Sequence, residues 1–449
     1  MVKKVISLAV SVAMIGSLLI GCGNQTNNAA STVSSAAGST AAASTSASAS
    51  SETPAVKGDI TLFSNMTNWA NEFLPELVAS YNKKFSEVKV TVDTSSSYED
   101  TLKIKMASND LPDVFSSFVN NPSPKQRSQY LMPLDDLKVA ADIEADFKNF
   151  FKGEDGKIYG LPYGKSISGV VIYNKKLFKD AGLTYPKTLD EFITAGKKLA
   201  ALPGVVAGLA MPVKDQWTMC QYDEDMPRYF SADPDVFNKL DVNSDEPFTI
   251  DGPWGKTFKM LETLRDSGIV NKSPASYGWE TMKTDFKAGK VGMIFLSGWF
   301  VNQAVTDEIA NSGKAGEYVG IFPMPFDNSG KLYAAYSPLP AFSINKDTKS
   351  PEASKSLVEF MLSDYNETLC KNQGAFSTNK NFKITYDWAE GLEAEQIIES
   401  PKNTDITNIW QSGNVDFSGK ASAVIAGGTA EKAIKEMNAS WAKGKKVAK

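Results

Sequence analysis

YGLPYGKSISGVVIYNKKL, residues 159–177, is the stretch that decides the fold of this chain. Its first part, Leu161–Ser168, is polar and runs into the apolar, β-branched segment Val170–Tyr173. Such a segment is typical of a buried central strand, whereas Gly164 and Gly169 interrupt regular structure before it. Taken alone, the joint is typical of a plain loop. We hypothesise that it is the first of several crossings between two lobes, so that its polar residues lie on the floor of a ligand cleft.

The length and charge of the chain set limits on its class. A chain of 449 residues is long enough for two domain-sized cores. The net charge is −5, and the positive charges are almost all lysine, with arginine only at positions 127, 228 and 265. The sequence has no basic face that would attract nucleic acid and no acidic tail for a cationic partner. We therefore expect a small-molecule ligand and no nucleic acid.

The absence of histidine from the sequence excludes whole classes of active site. A Ser-His-Asp triad, a Cys-His pair and an HExxH zinc site all require that residue. Enzymes that use paired carboxylates remain possible. Glycine-rich nucleotide loops and the GxSxG motif are also missing. We expect no enzyme, no catalytic residue and no cofactor.

One segment imitates the start of a calcium loop, with Asp241, Asn243 and Asp245 at alternate positions. Glu246 occupies the required glycine position, and Gly252 occupies that of the final glutamate. The sequence therefore predicts no metal site there. Cys220 and Cys370 could form a disulfide or remain two buried thiols, because their spacing says nothing about geometry.

The first 21 residues have the charged and apolar regions of an export signal. The end of this region, Leu19-Ile20-Gly21-Cys22, resembles the lipobox of bacterial lipoproteins, in which the cysteine is lipidated. This resemblance implies that acyl chains such as palmitate on Cys22 anchor the protein at the extracellular face of the cell membrane. The alternative is a secretory peptide with an accidental cysteine. Residues 22–58 then form the lipid anchor and a disordered Ser/Ala/Thr tether.

After residue 58, predicted strands alternate with helices at the spacing of an α/β sheet of mostly parallel strands. Thr188 and Glu191, for example, form a capping box for a helix that extends through Leu199. Ligands of such sheets bind outside the carboxyl ends of the strands. The loops Ser64–Trp69, Ser95–Tyr98 and Ser116–Asn121 are therefore expected along one rim.

Several blocks match a known family in order and over nearly the whole mature chain. They are LPDVF (111–115), YGLPYG (159–164), VVIYNKKLFKDAGL (170–183), PKTLDEF (186–192), FKAGKVGMIFLSGWF (286–300), VGIFPMP (319–325) and AFSINKDTKSPEASKSLVEFML (341–362). With these blocks the chain resembles the extracellular solute-binding proteins of ABC importers, the family that includes maltose-binding protein. Each block is weak alone, and the ordered set behind a lipobox is specific.

The resemblance implies a two-lobed, type II-like periplasmic-binding-protein fold with a hinge of several crossings and a ligand cleft between the lobes. By analogy the crossings lie near Tyr163–Ser166, Phe322–Pro325 and Asn372–Ser377. Lobe 1 would combine residues 59–165 with 324–373, and lobe 2 would combine residues 166–323 with 374–449. The resemblance also implies a monomer that closes over its solute and presents it to permease subunits of an ABC transporter.

Aromatic residues on the predicted rim favour a carbohydrate, since sugars offer flat C–H faces and rings of hydroxyls. By the same resemblance, Trp299 in the segment Ser297-Gly298-Trp299 aligns with a stacking tryptophan of the family. The complete set of expected ligand contacts is Asn68, Trp69, Tyr98, Asn120, Asn121, Tyr163, Lys165, Ser166, Gln216, Trp217, Trp299 and Trp410. Asn120 and Asn121 stand where maltose-binding protein has charged groups, so the expected ligand is an oligosaccharide that need not be maltose.

Two other interpretations remain open. A non-sugar solute such as a polyamine, a peptide or a metal chelate would be favoured by several carboxylates or a tyrosine cluster in the cleft. A surface glycosidase would need two facing carboxyl groups about 5 to 10 Å apart. The sequence nominates no such pair.

Overall fold

The computed structural model describes residues 56–67, 73–95, 97–298, 300, 301, 304, 317–389, 391, 392, 394–398, 402 and 404–448. The predicted signal peptide and Cys22 lie outside these residues, as does the tether up to residue 55. The first strand begins at Gly58, the last residue of the predicted tether. No helix in the described part of the chain is long and apolar enough to cross a bilayer.

Thirteen strands are present in the described residues. They are β1 Gly58–Ser64, β2 Val88–Thr94, β3 Val114–Ser117, β4 Leu161–Pro162, β5 Gly164–Ser168, β6 Val170–Asn174, β7 Ala207–Ala210, β8 Val291–Leu296, β9 Val319–Pro323, β10 Tyr333–Pro338, β11 Ala341–Ile344, β12 Phe376–Ser377 and β13 Glu395–Ile398.

The described residues also form fifteen α-helices. They are α1 Phe73–Lys84, α2 Tyr98–Ala107, α3 Pro124–Tyr130, α4 Ala145–Lys148, α5 Lys175–Asp180, α6 Leu189–Ala200, α7 Cys220–Glu224, α8 Met226–Ser231, α9 Pro253–Asp266, α10 Trp279–Lys287, α11 Pro351–Leu362, α12 Asn366–Gln373, α13 Thr404–Gly413, α14 Phe417–Ile425 and α15 Ala430–Val447. Half of the predicted capping box is present: Thr188 Oγ1 accepts a hydrogen bond from Glu191 N at 3.3 Å, whereas Glu191 Oε2 accepts from Lys187 N at 2.8 Å rather than from Thr188 N.

The strands form three sheets. The first outer sheet has the order β2-β1-β3-β11-β4, the middle sheet β12-β5-β10-β13, and the second outer sheet β7-β8-β6-β9. Strand β1 is parallel to β2 and β3, whereas β11 is antiparallel to β3 and β4. In the second outer sheet β6 runs antiparallel to both of its neighbours. The α/β class is confirmed, and the sheets are more mixed than the predicted mostly parallel arrangement.

The stretch 159–177 connects all three sheets. Strand β4 belongs to the first outer sheet, β5 to the middle sheet and β6 to the second outer sheet. The three strands follow one another almost without a loop, and the bend between β5 and β6 falls on Gly169 at φ +63°. A Cβ at Gly169 would lie 2.5 Å from Tyr229 Oη and 2.9 Å from Asp225 Cβ. Glycine is thus required here both by the backbone conformation and by the lack of space.

The second passage between the sheets lies later than predicted. Phe322 and Met324, in the predicted crossing Phe322–Pro325, pack in the same apolar cluster as Leu209 and Phe295 of the second outer sheet. The chain instead changes sheet along β10, which pairs with β5 before the chain enters β11 of the first outer sheet. Pro323 and Pro325 interrupt the chain at the end of β9. The place where the chain passes from one sheet to the next is determined instead by the hydrogen bonding of β10 with β5.

The third predicted crossing, Asn372–Ser377, contains β12, which pairs with β5 in the middle sheet. The residues after it remain beside the first outer sheet. Thr378 Oγ1 donates to Pro162 O at 2.5 Å, and Asn379 Nδ2 donates to Leu362 O at 2.9 Å. The predicted lobe boundaries near residues 324 and 374 therefore stay predictions.

The core consists of separate apolar clusters. One fills the space around the first outer sheet and includes Leu62, Val114 and Leu357. The largest packs against the second outer sheet and extends to Trp441 on α15. Cys220 and Cys370 do not form a disulfide with each other, which answers the question that their spacing left open.

Candidate ligand-binding cavity

A cavity of about 310 Å³ brings together residues from distant parts of the chain. The turn after β3 contributes Asn120, and the other lining residues come from α7 onwards. Those are Asp223, Arg228, Val236, Phe237, Trp254, Lys402, Thr407, Trp410 and Gln411. Strand β3 belongs to the first outer sheet, so a turn of that sheet and residues from α7 onwards meet at this cavity.

Asn120 lies at the tip of a tight hairpin turn. Phe118 N donates to Asn121 O at 2.9 Å, and Asn121 N donates back to Phe118 O at 3.2 Å. Val119 and Asn120 are thus the two central residues of a four-residue turn. Asn120 is exposed while Asn121 is buried. The turn therefore presents the Asn120 amide, which can both donate and accept hydrogen bonds, to the cavity.

The aromatic wall of the cavity is held by its own packing. The ring centroid of Trp410 lies 5.4 Å from that of Phe237 and 5.9 Å from that of Phe248. Phe248 also contacts Trp254 edge-on at 5.4 Å. Trp254 Nε1 donates to Asp223 Oδ1 at 3.0 Å, which fixes the indole and one carboxylate of the lining together. Rings fixed in this way can receive the apolar face of a ligand without losing conformational freedom.

A buried ion pair connects the cavity to the crossing strands. Arg228 Nη1 donates to Asp225 Oδ1 at 3.2 Å, and Ser168 Oγ of β5 donates to the same oxygen at 3.0 Å. The hydroxyl of the neighbouring Tyr229 accepts from Ala335 N of β10 at 3.1 Å. Burial and the negative charge of Asp225 raise the pKa of Tyr229 well above its usual value. Helix α8 is therefore bonded to both long crossing strands.

The structure brings two of the predicted ligand contacts, Asn120 and Trp410, to this cavity. Gln216 and Trp217 are exposed at the start of the short 3₁₀ helix Gln216–Met219 after β7, and the Trp217 ring centroid lies 5.1 Å from that of Trp279. Those two residues do not line the cavity and stay predictions. Asn68, Trp69 and Trp299 lie outside the described residues and also stay predictions.

Packing accounts for three further predicted contacts. Tyr98 is stacked on Phe63, and its hydroxyl donates to Ser116 O at 2.7 Å. Tyr163 is only 2% exposed within the core of the first outer sheet. Asn121 is 7% exposed and donates to Glu99 O at 3.3 Å. All three side chains are buried, and those of Tyr98 and Asn121 also form internal hydrogen bonds. That they contact a ligand stays a prediction.

Lys165 and Ser166 lie on β5, and the lysine charge is neutralised within the protein. Lys165 Nζ contacts both carboxylate oxygens of Glu144, at 2.9 Å and 3.0 Å. The ammonium also lies 5.0 Å from the ring of Phe147 and 5.3 Å from that of Tyr336. Ser166 is half-buried and its hydroxyl is 3.5 Å from Ile167 O. Both residues belong to the middle sheet rather than to the lining of the cavity.

Sequence reasoning missed Asp223, Arg228 and Trp254. The helical pattern around Trp254 predicts packing, and that pattern is correct, since α9 begins at Pro253. The tertiary contact with Asp223 is what turns the indole into part of the lining. One signal was available for Arg228, because arginine is rare in this lysine-rich chain and is preferred for buried ion pairs.

The segment that resembles the start of a calcium loop, Asp241–Asp245, is hydrogen-bonded to the side chain of a lysine. Lys445 Nζ donates to Asn243 O and to Asp245 Oδ1, both at 2.7 Å. The ammonium of α15 is thus the cationic partner of these two oxygens. Within the described residues no group of three or more acidic or cysteine side chains could hold a metal ion.

Comparison with known proteins identifies the family. The model of the bacterial extracellular solute-binding proteins matches residues 64–368. The chain belongs to this family. Its similarity to the melibiose/raffinose/stachyose-binding protein MelE of Bacillus subtilis is 30% identity over 147 residues, which cover 32% of this chain and 34% of MelE. A maltooligosaccharide ABC transporter solute-binding lipoprotein of Streptococcus pneumoniae serotype 4 is 26% identical over 76% of this chain and 77% of its own length.

This solute-binding protein also resembles solved structures. The apo form of RafE from Streptococcus pneumoniae superposes with a TM-score of 0.71 at 19% identity, covering 88% of this chain and 100% of RafE. BlMnBP1 from Bifidobacterium animalis subsp. lactis, in complex with mannobiose, superposes with a TM-score of 0.66 at 22% identity, covering 87% of this chain and 95% of BlMnBP1. These similarities establish the two-lobed fold. The first two curated relatives are matched over 34% and 58% of their lengths.

Proposed function

We propose that this solute-binding protein captures an oligosaccharide and delivers it to the permease of an ABC transporter by closure of its lobes. The observation that carries the proposal is the composition of the cavity. Its aromatic wall contains Trp410 and Trp254, and its polar groups include Asn120, Asp223 and Gln411. Carbohydrate sites combine the same two elements, because a sugar ring has apolar faces and hydroxyls around its edge.

The origin of the lining supports closure as the mechanism. Asn120 follows a strand of the first outer sheet, and Trp410 belongs to α13 near the C-terminus. A ligand that contacts both residues stabilises the conformation in which both contacts exist together, and it shifts the population towards that conformation. Strands β5 and β10, which pass between the outer sheets, are the segments that have to bend.

The family and the named relatives support carbohydrate as the ligand class. The relatives are named for melibiose, raffinose, stachyose and maltooligosaccharides, and one is named a lipoprotein. We propose the same arrangement for this chain: lipidation at Cys22, attachment to the extracellular face of the membrane, action as a monomer and no catalysis. The permease and the ATP-hydrolysing subunit are separate chains in this proposal.

A thermal-shift experiment tests the ligand class. Raffinose, stachyose, mannotriose and maltotriose would be compared with spermidine and with glycine as representatives of other solutes. A ligand present at about 100 times its Kd stabilises the folded state by about 2.7 kcal/mol, so at least one of the sugars should raise the Tm by a few degrees. Stabilisation by spermidine without a response to any sugar would reject carbohydrate. Release of monosaccharides during incubation with the purified protein would instead support a glycosidase.

A further inference from the structure

Arg127, on the short helix α3, is almost completely buried, with 2% of its surface exposed. Its guanidinium donates to four backbone carbonyls, those of Val119, Pro122, Phe150 and Lys152. The Nε–Pro122 distance is 3.2 Å and the Nη1–Phe150 distance is 2.9 Å. The cation also lies 5.7 Å from the centre of the Phe151 ring. One side chain thus joins two chain segments that are far from each other in sequence.

The first of those segments is the turn that carries Asn120. Val119, whose carbonyl Arg127 binds, is one central residue of the turn, and Asn120 is the other. The Pro122 carbonyl, bound by Nε, follows the turn directly. On the opposite side, Asn121 Nδ2 is attached to α2 through Glu99 O. The turn is therefore held on both sides, and Asn120 is its exposed residue at the cavity.

Burial of the Arg127 guanidinium costs free energy, which indicates that the residue is kept to fix the geometry of the turn. Burial lowers the pKa of Arg127 to about 10, because the charged form loses its hydration. The four acceptors are neutral carbonyls, so they offset this loss without the attraction of a carboxylate. Only arginine offers five donors in a planar fork that can reach several carbonyls in fixed directions. A smaller or neutral residue would fill the core without fixing the turn.

We infer that Arg127 is a positioning residue for ligand binding, whose guanidinium fixes the turn Phe118–Asn121 so that Asn120 faces the cavity. The inference rests on the proposed function, because Asn120 has a task only if the cavity holds a ligand. Arg127 acts through Asn120 and does not touch the ligand. The two residues therefore form a coupled unit, and substitutions at both positions should not have additive effects on affinity.

A double-mutant cycle tests the coupling. Isothermal titration with raffinose, stachyose and mannotriose would give the Kd of the wild type, Arg127→Lys, Asn120→Ala and the double variant. Each single variant should bind about tenfold more weakly, which corresponds to the loss of one ligand hydrogen bond. The double variant should bind no more weakly than Arg127→Lys alone. Additive losses would overturn the inference, since they would mean that the two side chains act independently.

Arg265 provides a matched control. Its Nη1 also donates to two backbone carbonyls, those of Val424 and Gly428, both at 2.7 Å. It does not line the cavity. Arg265→Lys should therefore lower the Tm while leaving the Kd within about twofold of the wild type. An equal loss of affinity in Arg265→Lys and Arg127→Lys would assign both effects to general destabilisation, and the inference would fail.

Hydrogen exchange in the free protein tests the same idea without a ligand. The amides of Phe118 and Asn121 are bonded across the turn, so their exchange reports its opening. Arg127→Lys should accelerate their exchange about tenfold or more relative to the strand β1 amides. If the lysine variant does not fold, Arg127→Gln removes the buried charge, keeps two donors and should show the same acceleration. Unchanged exchange would overturn the inference. Absence of binding to any of the three sugars by wild-type protein would overturn the proposed function instead, and exchange alone would then decide whether Arg127 holds the turn.

Discussion

Lys165 Nζ lies 2.9 Å from Glu144 Oε1, and this ion pair attaches the first crossing strand to the loop before α4. The lysine side chain is 10% exposed and the glutamate side chain 28%. The ring centroids of Phe147 and Tyr336 lie 5.0 and 5.3 Å from the ammonium. The pair is therefore shielded from solvent far more than the ion pairs on exposed helices, such as Lys176–Asp180.

Replacement of Lys165 by methionine should destabilise the protein. The substitution keeps the apolar stem and leaves the Glu144 carboxylate without its cation, at a cost of about 1–3 kcal/mol. The measurement is the free energy of unfolding from urea titration. Lys176→Met is the control, because its exposed partner Asp180 should make the loss no greater than about 0.5 kcal/mol. Equal losses in the two variants would contradict the role of the buried pair.

Replacement of Trp410 by leucine should weaken sugar binding. Leucine fills the space beside Phe237 but lacks the flat face, so about 1–2 kcal/mol of binding free energy should be lost, or about five- to thirtyfold in Kd. Titration calorimetry with the sugar that gives the largest thermal shift measures this loss. Trp388→Leu is the control, since Trp388 stacks on Tyr386 away from the cavity. It should lower the Tm and keep the Kd. A wild-type Kd in Trp410→Leu would remove Trp410 from the site.

Replacement of Gly169 by alanine should cost more than replacement of Gly182. Both glycines have a left-handed backbone, with φ +63° and +64°, so both variants incur about 1–2 kcal/mol of strain. Only Gly169 is also crowded by Tyr229 and Asp225, which adds about 1–3 kcal/mol. The difference in Tm between the two variants isolates the crowding at the bend between β5 and β6. Identical Tm values would show that helix α8 moves aside freely.

Stability should fall at alkaline pH because of buried tyrosines. Burial, together with the negative charge of Glu144, raises the pKa of Tyr336 to about 12. Near pH 11 the unfolded chain loses this proton, whereas the folded protein retains it. The contribution to stability is therefore complete below about pH 10 and is lost as the pH rises towards 12. The Tm measured from pH 8 to 11.5 should decrease, and the decrease should be smaller in Tyr336→Phe. An equal decrease in both proteins would exclude Tyr336 as a contributor.

Local signals in the sequence predicted single elements well. The β-branched run after Gly169 is indeed a fully buried strand, and Asn174 caps the helix that follows it. The sequence did not predict the position of the second crossing, because the prolines after β9 mark an interruption but do not specify a partner strand. The position of strand β10 is determined by its pairing with β5. The paired residues are about 170 positions apart in the sequence, so no local pattern could predict the pairing.

Sequence reasoning identified a residue of the cavity only where its position after a strand was enough to indicate it. Asn120 follows a strand end, and that location alone indicates a rim residue. Tyr163 follows a strand in the same way, yet its side chain points into the core beside Phe342. Polarity and loop position do not distinguish these two outcomes. The direction of each side chain depends on strand register, which is determined by tertiary pairing.

The middle sheet has a consequence for the order in which the chain can fold. Its strands β5, β10, β12 and β13 come from four separate regions, and the last of them ends at Ile398. A nascent chain shorter than that carries β10 with one edge unpaired, since β13 is its parallel neighbour there. Completion of the sheet must therefore wait until nearly nine-tenths of the polypeptide has been synthesised. Such long-range pairing slows folding, so the middle sheet should be completed late.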